Sequence, residues 1–299
     1  MSGPDGNWHS ARRRHLRVCR EAAWGQLPED PGWVSLPVFG DGFTLKAASP
    51  HFAPATEFGG WRRTARLGYV RRVTGAFVTL PWPEVTALLL QMALERDAAE
   101  LHSYCLDFFT PADPRRYSGV MADRLEVTAR TQEDVIFRFQ LVGKDEEANP
   151  ALSQGDFDYS GQCPVPFRLE RAALNLDGAP VTGVESFALR VENDLAEGPI
   201  RFGTVSYLLA GPRTVGLSLR SLDNSGAFNE AIREDPAVSF DARFVHPDGH
   251  ELTLSLPALH VESNEPTALP GALARTVAGM TAGTDEHGDD ITYALVLNA

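Results

Sequence analysis

Cysteine is scarce in this chain, with Cys19, Cys105 and Cys163 the only three in 299 residues. They are odd in number, far apart and free of any C-x-x-C pair, which argues against a disulfide framework or a zinc site and for a reducing cytoplasm. Long apolar runs are missing too. The most apolar stretch, Val85 to Leu94, falls well short of the roughly 18 residues that span a bilayer and reads as a buried helix face. The basic segment Ser10–Arg17 lacks a following apolar region, so a secretory signal is not expected. Positive charge is in deficit: 27 basic against 40 acidic residues leave a net charge of −13. Gripping nucleic acid over a broad surface needs the opposite sign, whereas a surface that lies beside DNA without holding it should be neutral or negative. Catalytic signatures are absent as well, with no G-x-S-x-G, H-E-x-x-H or G-x-x-x-x-G-K. Gly203 to Ser206 and Gly211 to Arg213 have no βαβ unit around them and read as strand-edge glycines.

Alternation of period two is plentiful. Leu125, Val127 and Ala129 share one face against Arg124, Glu126, Thr128 and Arg130. Val135, Phe137, Phe139 and Leu141 repeat the pattern after the polar break Thr131–Asp134, which predicts a β-hairpin. Val238, Phe240, Ala242 and Phe244 lead through His246-Pro-Asp-Gly249 into Leu252, Leu254 and Leu256, a second hairpin marked by Asp-Gly. Asn175-Leu-Asp-Gly178 marks a further turn. Two segments read as helix. Pro83–Leu94 carries Val85, Leu88, Leu89 and Met92 on one face, with Pro83 in the first turn. Asn224–Asp235 carries Phe228, Ala231 and Ile232, with Asn224 or Ser225 as cap and Pro236 as terminator.

The chain also echoes itself. Gly68–Leu80 and Gly211–Leu222 are similar, each followed by a helical segment, and Phe39–Ala47 resembles Gly183–Val191. Aligning Phe43 with Phe187 gives an offset of 144, and aligning Arg72 with Arg213 gives 141. The shared order of strands, helix and hairpin predicts a mainly β chain with two tandem β-sandwich domains, each with a flanking helix. The boundaries expected are an N-terminal arm at 1–33, a first domain at 34–146, a linker at 147–164 and a second domain at 165–299. The run Arg12, Arg13, Arg14, Arg17 and Arg20 reads as a solvated tail, with docking on an acidic neighbour as the second reading.

Two clusters invite a metal reading. His246, Asp248, His250 and Glu251 have suitable ligand types but fall on a predicted hairpin turn, where polar residues are expected anyway. Asp285 to Asp290 lacks the spacing of a calcium loop and reads as a solvated acidic loop before the strand Ile291–Leu297. Nothing selects a pair of carboxylates for glycoside hydrolysis. Trp24, Trp33, Trp61 and Trp82 serve packing as readily as a sugar platform. No catalytic, cofactor-binding or metal-binding residue is therefore assigned, and no cofactor or enzymatic activity is expected.

Several segments taken in order carry a resemblance. They are Arg20-Glu-Ala-Ala-Trp-Gly25 with Pro28, Pro31 and Trp33; Val73–Glu84 with its Leu-rich helix; Arg116–Glu126 closing on Phe139–Lys144; and Val184–Asn193. Together they resemble the tail tube (major tail) proteins of long-tailed phages and prophages. Gln26 departs from the family's opening motif, which has Thr there. The resemblance implies β-sandwiches with a flanking helix whose sheets join between subunits into a ring-lining β-barrel. Such rings stack into a virion tail, assembled in the host bacterial cytoplasm, around a tape measure protein. The tail then conducts DNA, with tail terminator and tail-tip proteins as further partners. A barrel of about 24 strands at roughly 4.8 Å spacing encloses a lumen wide enough for duplex DNA, which passes without specific binding. Two such domains per chain imply a homotrimer with pseudo-sixfold symmetry. The alternative expectation is a soluble two-domain β-sandwich that binds carbohydrate or acts as an adhesin.

Overall fold

The computed structural model of the protein describes residues 14–39, 42–48, 72–97, 100–198, 200–201, 204–205, 207–222, 228, 230, 232, 237–269, 272–281 and 290–298. The chain is mainly β and antiparallel, with sixteen strands joined in one sheet. Its first eight strands are β1 (His15–Arg20), β2 (Val34–Leu36), β3 (Lys46–Ala48), β4 (Arg72–Thr79), β5 (Tyr104–Phe109), β6 (Arg115–Arg130), β7 (Ile136–Gly143) and β8 (Asp145–Ala148). The next eight are β9 (Ala172–Leu176), β10 (Ala179–Val181), β11 (Val184–Glu192), β12 (Thr214–Ser221), β13 (Val238–Val245), β14 (Glu251–Leu269), β15 (Ala272–Thr281) and β16 (Thr292–Val296). Helix α1 (Pro83–Leu94) follows β4.

The local expectations are met where the signal is local. Strands β6 and β7 form the hairpin read from Leu125 to Leu141, and β13 and β14 pair across His246–Gly249. Asp177 and Gly178 both have positive φ, at 50° and 76°, as a two-residue turn between β9 and β10 demands. Helix α1 has the bounds expected from its periodicity. It starts on Pro83 without a side-chain cap and buries Val85, Leu89, Leu90, Met92 and Ala93. Phe228, Glu230 and Ile232 are helical, and the rest of the second expected helix lies outside the described residues.

Pairing within the two groups of eight follows one plan. In the first, β1 joins β2 and β5, β5 joins β6, β6 joins β7 and β8, β7 joins β4, and β4 joins β3. In the second, each strand has the same partners shifted by eight: β9 joins β10 and β13, β13 joins β14, β14 joins β15 and β16, β15 joins β12, and β12 joins β11. Bulges recur as well. The β6 ladder to β7 slips between Ala122 and Arg124, and the β14 ladder to β15 slips between Val261 and Ser263. Thr79 Oγ1 donates to Pro37 O at 2.6 Å, and Ser221 Oγ at the same ladder position donates to Thr182 O at 2.8 Å. Phe43 faces Phe77 as Phe187 faces Leu219, so the Phe43–Phe187 alignment holds in three dimensions. The Arg72–Arg213 alignment slips by one residue: with Thr79 equivalent to Ser221, Thr214 stands at the place of Arg72.

The two groups meet where β11 pairs with the second half of β6, from Ser186 opposite Arg130 to Glu192 opposite Arg124. That ladder makes the sheet continuous, and the main cluster of buried apolar residues runs through both groups, including Phe77, Phe137 and Phe139 as well as Phe187, Phe240 and Phe244. No closed barrel exists within one chain among the described residues.

The arm expected at 1–33 needs correction from residue 15 onward. His15–Arg20 is an internal strand between β2 and β5, with Leu16, Val18 and Cys19 buried. The arginine run masked its alternation. The segment expected as a linker at 147–164 is docked on the first group of strands. Arg17 Nη1 donates to Asp156 O at 2.8 Å, Gln162 Nε2 to Ser35 O at 2.9 Å, and the Cys163 amide to Glu84 Oε2 at 3.0 Å.

Candidate assembly surface

Two of the segments that carry the family resemblance, the first and the third, converge on one buried node. Glu21, 8% exposed, accepts hydrogen bonds from the Gly119 amide at 2.8 Å, the Gly25 amide at 2.6 Å and the Ser103 hydroxyl at 2.7 Å. Trp24 Nε1 donates to Gly119 O at 3.0 Å, and Lys144 lies 4.8 Å over the Trp24 ring. Gly119 has φ of 63°, and a Cβ there would come within 2.7 Å of Lys144 Cβ and 2.8 Å of Trp24 Nε1. Glycine is required twice over, by backbone angle and by space. Gly119→Ala is therefore expected to cost about 3 kcal/mol in urea unfolding. Gly25→Ala should cost less, because the nearest atoms to its added Cβ belong to the movable end of Lys144.

A second node lies between β1, β5 and β6. Asp107, fully buried, takes Arg17 Nη2 at 2.9 Å and Arg116 Nε at 2.7 Å, and Trp33 covers the Arg17 guanidinium at 4.4 Å. Arg17 is thus a core residue rather than part of a solvated tail. Hydrogen bonding to Asp107 raises the Arg116 pKa, so its charge is fixed.

The third node holds the two groups of strands together. Asn193, the last residue of the Val184–Asn193 motif, is fully buried just beyond β11. Its Nδ2 donates to Ala93 O at the end of α1 and to Ala122 O beside the β6 bulge, both at 2.9 Å. Its Oδ1 accepts Arg96 Nη2 at 2.9 Å. Arg213 reaches the Leu94 carbonyl and pairs with Asp290 at 3.1 Å. Burial first, and then the Arg213 charge, lower the pKa of Arg96.

Above these nodes, the joint between β6 and β11 presents a polar face. Arg124 pairs with Glu192 across the two strands at 2.7 Å, Arg138 with Glu126 at 4.0 Å, and Arg220 with Glu185 at 3.2 Å. Arg190 shares Glu192 with Arg124, and Arg130 lies on the same face, so arginines outnumber glutamates at these positions and it is not the acidic surface that the net charge invites. The arginines that pair with carboxylates there offer phosphates less to hold than free cations would.

The clusters weighed in the sequence resolve into structural roles. His246, 1% exposed, has its Nε2 2.9 Å from Val165 O, a carbonyl that can only accept, so Nε2 carries the proton. Nδ1 then accepts the Asp248 amide at 3.1 Å. Cys163, which the sequence did not link to this turn, brings its sulfur to 3.5 Å from Asp248 Oδ2 and 4.0 Å from His246 Nε2. A metal ion would have to displace a hydrogen bond that His246 already makes, and burial raises the Cys163 pKa away from the thiolate a metal needs. His250 accepts the Asn298 amide at 3.0 Å, and Glu251 pairs with Arg243, so neither joins the group. Asp290 belongs to the Arg213 pair, and 285–289 lie outside the described residues, as does Trp61. Trp24 and Trp33 carry cations on their rings and Trp82 packs on the core, so these three form no open aromatic platform.

Among the described residues, β2, β3, β8, β10 and β16 each pair with a strand on one side only, and the second half of β14 carries none on the side away from β15. Of these, the outer side of β3 and the second half of β14 are the repeat counterparts of the β11 and β6 edges that join within the chain. Exposed edges of this kind are a liability for a monomer and a means of joining for an assembly.

No curated protein sequence matches the chain. The model of the phage tail tube protein family matches residues 11–281, a span that takes in Glu21, Asp107 and Asn193 at the three nodes, β3 and the second half of β14. The chain belongs to the phage tail tube protein family, and is a structural protein of the virion tail of a kind that assembles with itself into a tube.

Proposed function

We propose that this chain forms stacked rings that make up the tube of a long phage tail, holding the tape measure protein before infection and passing DNA afterwards. Each chain supplies two copies of one tube domain, residues 34–146 extended at the start by strand β1, and residues 165–299. Three chains make a ring with pseudo-sixfold symmetry. The tail terminator and tail-tip proteins close the two ends, and assembly takes place in the host cytoplasm. The observation that carries this reading is the strand plan given twice, with the two copies already joined edge to edge by β11 and β6. A chain that contains one such joint is two sectors of a ring, and three chains give six. The polar face across that joint, where Arg124, Arg138 and Arg220 pair with glutamates, is the surface assigned to the channel.

Negative-stain microscopy of the concentrated protein tests the reading. Rings or tubes of uniform width with threefold or pseudo-sixfold end views are expected. A monodisperse monomer at all concentrations and salt strengths would count decisively against it.

A further inference from the structure

The joint inside the chain gives the geometry of the joint between chains. We infer that the open edge of β14, Ser263–Leu269, pairs antiparallel with residues 42–48 of the next copy, including its β3, with Lys46 opposite Glu265. This rests on the tube reading and adds the two edges and their register.

The register follows from the repeated ladders. Lys46 faces Thr74 on β4 as Arg190 faces Gly216 on β12, and Phe43 and Phe187 hold matching places. The bulges align Arg124 with Ser263, and counting on from them aligns Glu126 with Glu265 and Val127 with Pro266. Inside the chain, Arg190 stands opposite Glu126 and Leu189 opposite Val127. Moved to the open edges, the same pairing sets Lys46 opposite Glu265 and Leu45 opposite Pro266. A cation faces a carboxylate in both joints. The contact is head to tail, since the two edges differ, so it propagates until the ring closes.

Pro266 is the sharpest check on this register. A proline inside a strand must turn its missing N–H away from the paired side. Pro266 pairs with Arg275 of β15, so its nitrogen faces the open edge. An incoming strand would leave one carbonyl there without a donor. In this register that carbonyl belongs to Leu45, and it already accepts the Tyr117 hydroxyl at 2.9 Å. The one hydrogen bond that the joint lacks is supplied from within the neighbouring chain. The Ala47 amide is held by the Glu146 carboxylate at 2.6 Å, a side-chain acceptor that a strand carbonyl can replace.

Disulfide trapping tests the register. The Thr44 amide donates to Ala76 on β4, so Lys46 likewise points its backbone at β4 and takes a non-hydrogen-bonded place in the new ladder. Such pairs bring Cα atoms to about 4.5 Å, within disulfide range. In a Cys163→Ser background, oxidised Lys46→Cys/Glu265→Cys protein should run as covalent multimers on a non-reducing gel, ending at the ring number. Each single variant, and Ala47→Cys/Glu265→Cys on opposite faces, should stay monomeric on the gel. Lys46→Glu should raise the concentration for half-assembly about fivefold, and adding Glu265→Lys should restore it. Tubes that form without the Lys46–Glu265 crosslink would overturn this joint and leave the tube reading intact. Crosslinked rings that never stack would support the joint against the tube. Monomer alone, uncrosslinked, would overturn both.

Discussion

Asp107→Ala will destabilise the folded chain by about 3–5 kcal/mol, the cost of leaving buried charges without their partner. The carboxylate is fully buried and neutralises two guanidinium groups, Arg17 from β1 and Arg116 from β6. Its removal leaves two like-charged guanidinium groups side by side beneath Trp33 without the carboxylate they share. The melting temperature should fall by about 8 °C at constant scan rate, given the entropy of unfolding of a chain this long. Arg116→Met should cost less, because Arg17 continues to neutralise Asp107 and the Arg116 side chain is 26% exposed. The triple replacement Arg17→Met/Asp107→Leu/Arg116→Met should recover most of the loss, since an apolar cluster of similar volume carries no desolvation penalty. A triple variant no more stable than Asp107→Ala would show that the node acts through geometry rather than charge. The corresponding place in the second group of strands holds Asp241, which accepts the Ser255 hydroxyl at 2.6 Å. There the acid has a neutral partner on the adjoining strand, so Asp241→Ala should be milder.

What could be read from the residues depended on the distance over which each signal acts. Asp-Gly turns, period-two alternation and the Pro83 start of α1 are local, and each was legible. The internal repeat was legible only faintly, because few identities survive between the copies while ladder partners and bulges recur. Hence Phe43 and Phe187 aligned correctly, and Arg72 was matched to Arg213 one residue from its true counterpart. Arg213 serves another purpose, reaching across to the end of α1. The ladder between β6 and β11 had no local signature, since strand pairing across some sixty residues is set by edges that a sequence does not print. Glu21, Gly119 and Asn193 stood inside motifs that carried the family resemblance, yet their chemistry was hidden. Each acts by satisfying backbone groups far away in the chain, and a buried polar residue looks like a surface one until its partners are in view. Arg17 was misplaced for the same reason, as one arginine among five.

Asn193→Leu should cost about 3–4 kcal/mol, close to Asp107→Ala, and it should act on assembly more than its stability loss alone implies. The substitution keeps the branching at Cγ, adds some bulk and removes every hydrogen bond of the amide. Ala93 O and Ala122 O lose the Asn193 donor, and Arg96 loses one of its two acceptors, keeping Gly211 O. These groups belong to α1, the β6 bulge and the segment entering the short ladder at Arg96–Asp97, while Asn193 itself closes β11. On the ring reading proposed above, the amide sets the angle between the two sectors that one chain contributes. Asn193→Asp makes the distinction measurable. A carboxylate there would attract Arg96 and Arg213, whose charges crowd each other, while repelling the two carbonyls that the amide served. It should unfold later in urea than Asn193→Leu and yet still assemble poorly, since the ties to α1 and β6 are the ones it breaks. Asp194→Gly is the matched control. Asp194 has φ of 46°, a left-handed angle that glycine takes at no cost, so both stability and assembly should stay near those of the parent chain. If Asn193→Asp assembles as the parent does, the amide is a stabilising contact only, and the sector angle is set by the β6–β11 ladder itself.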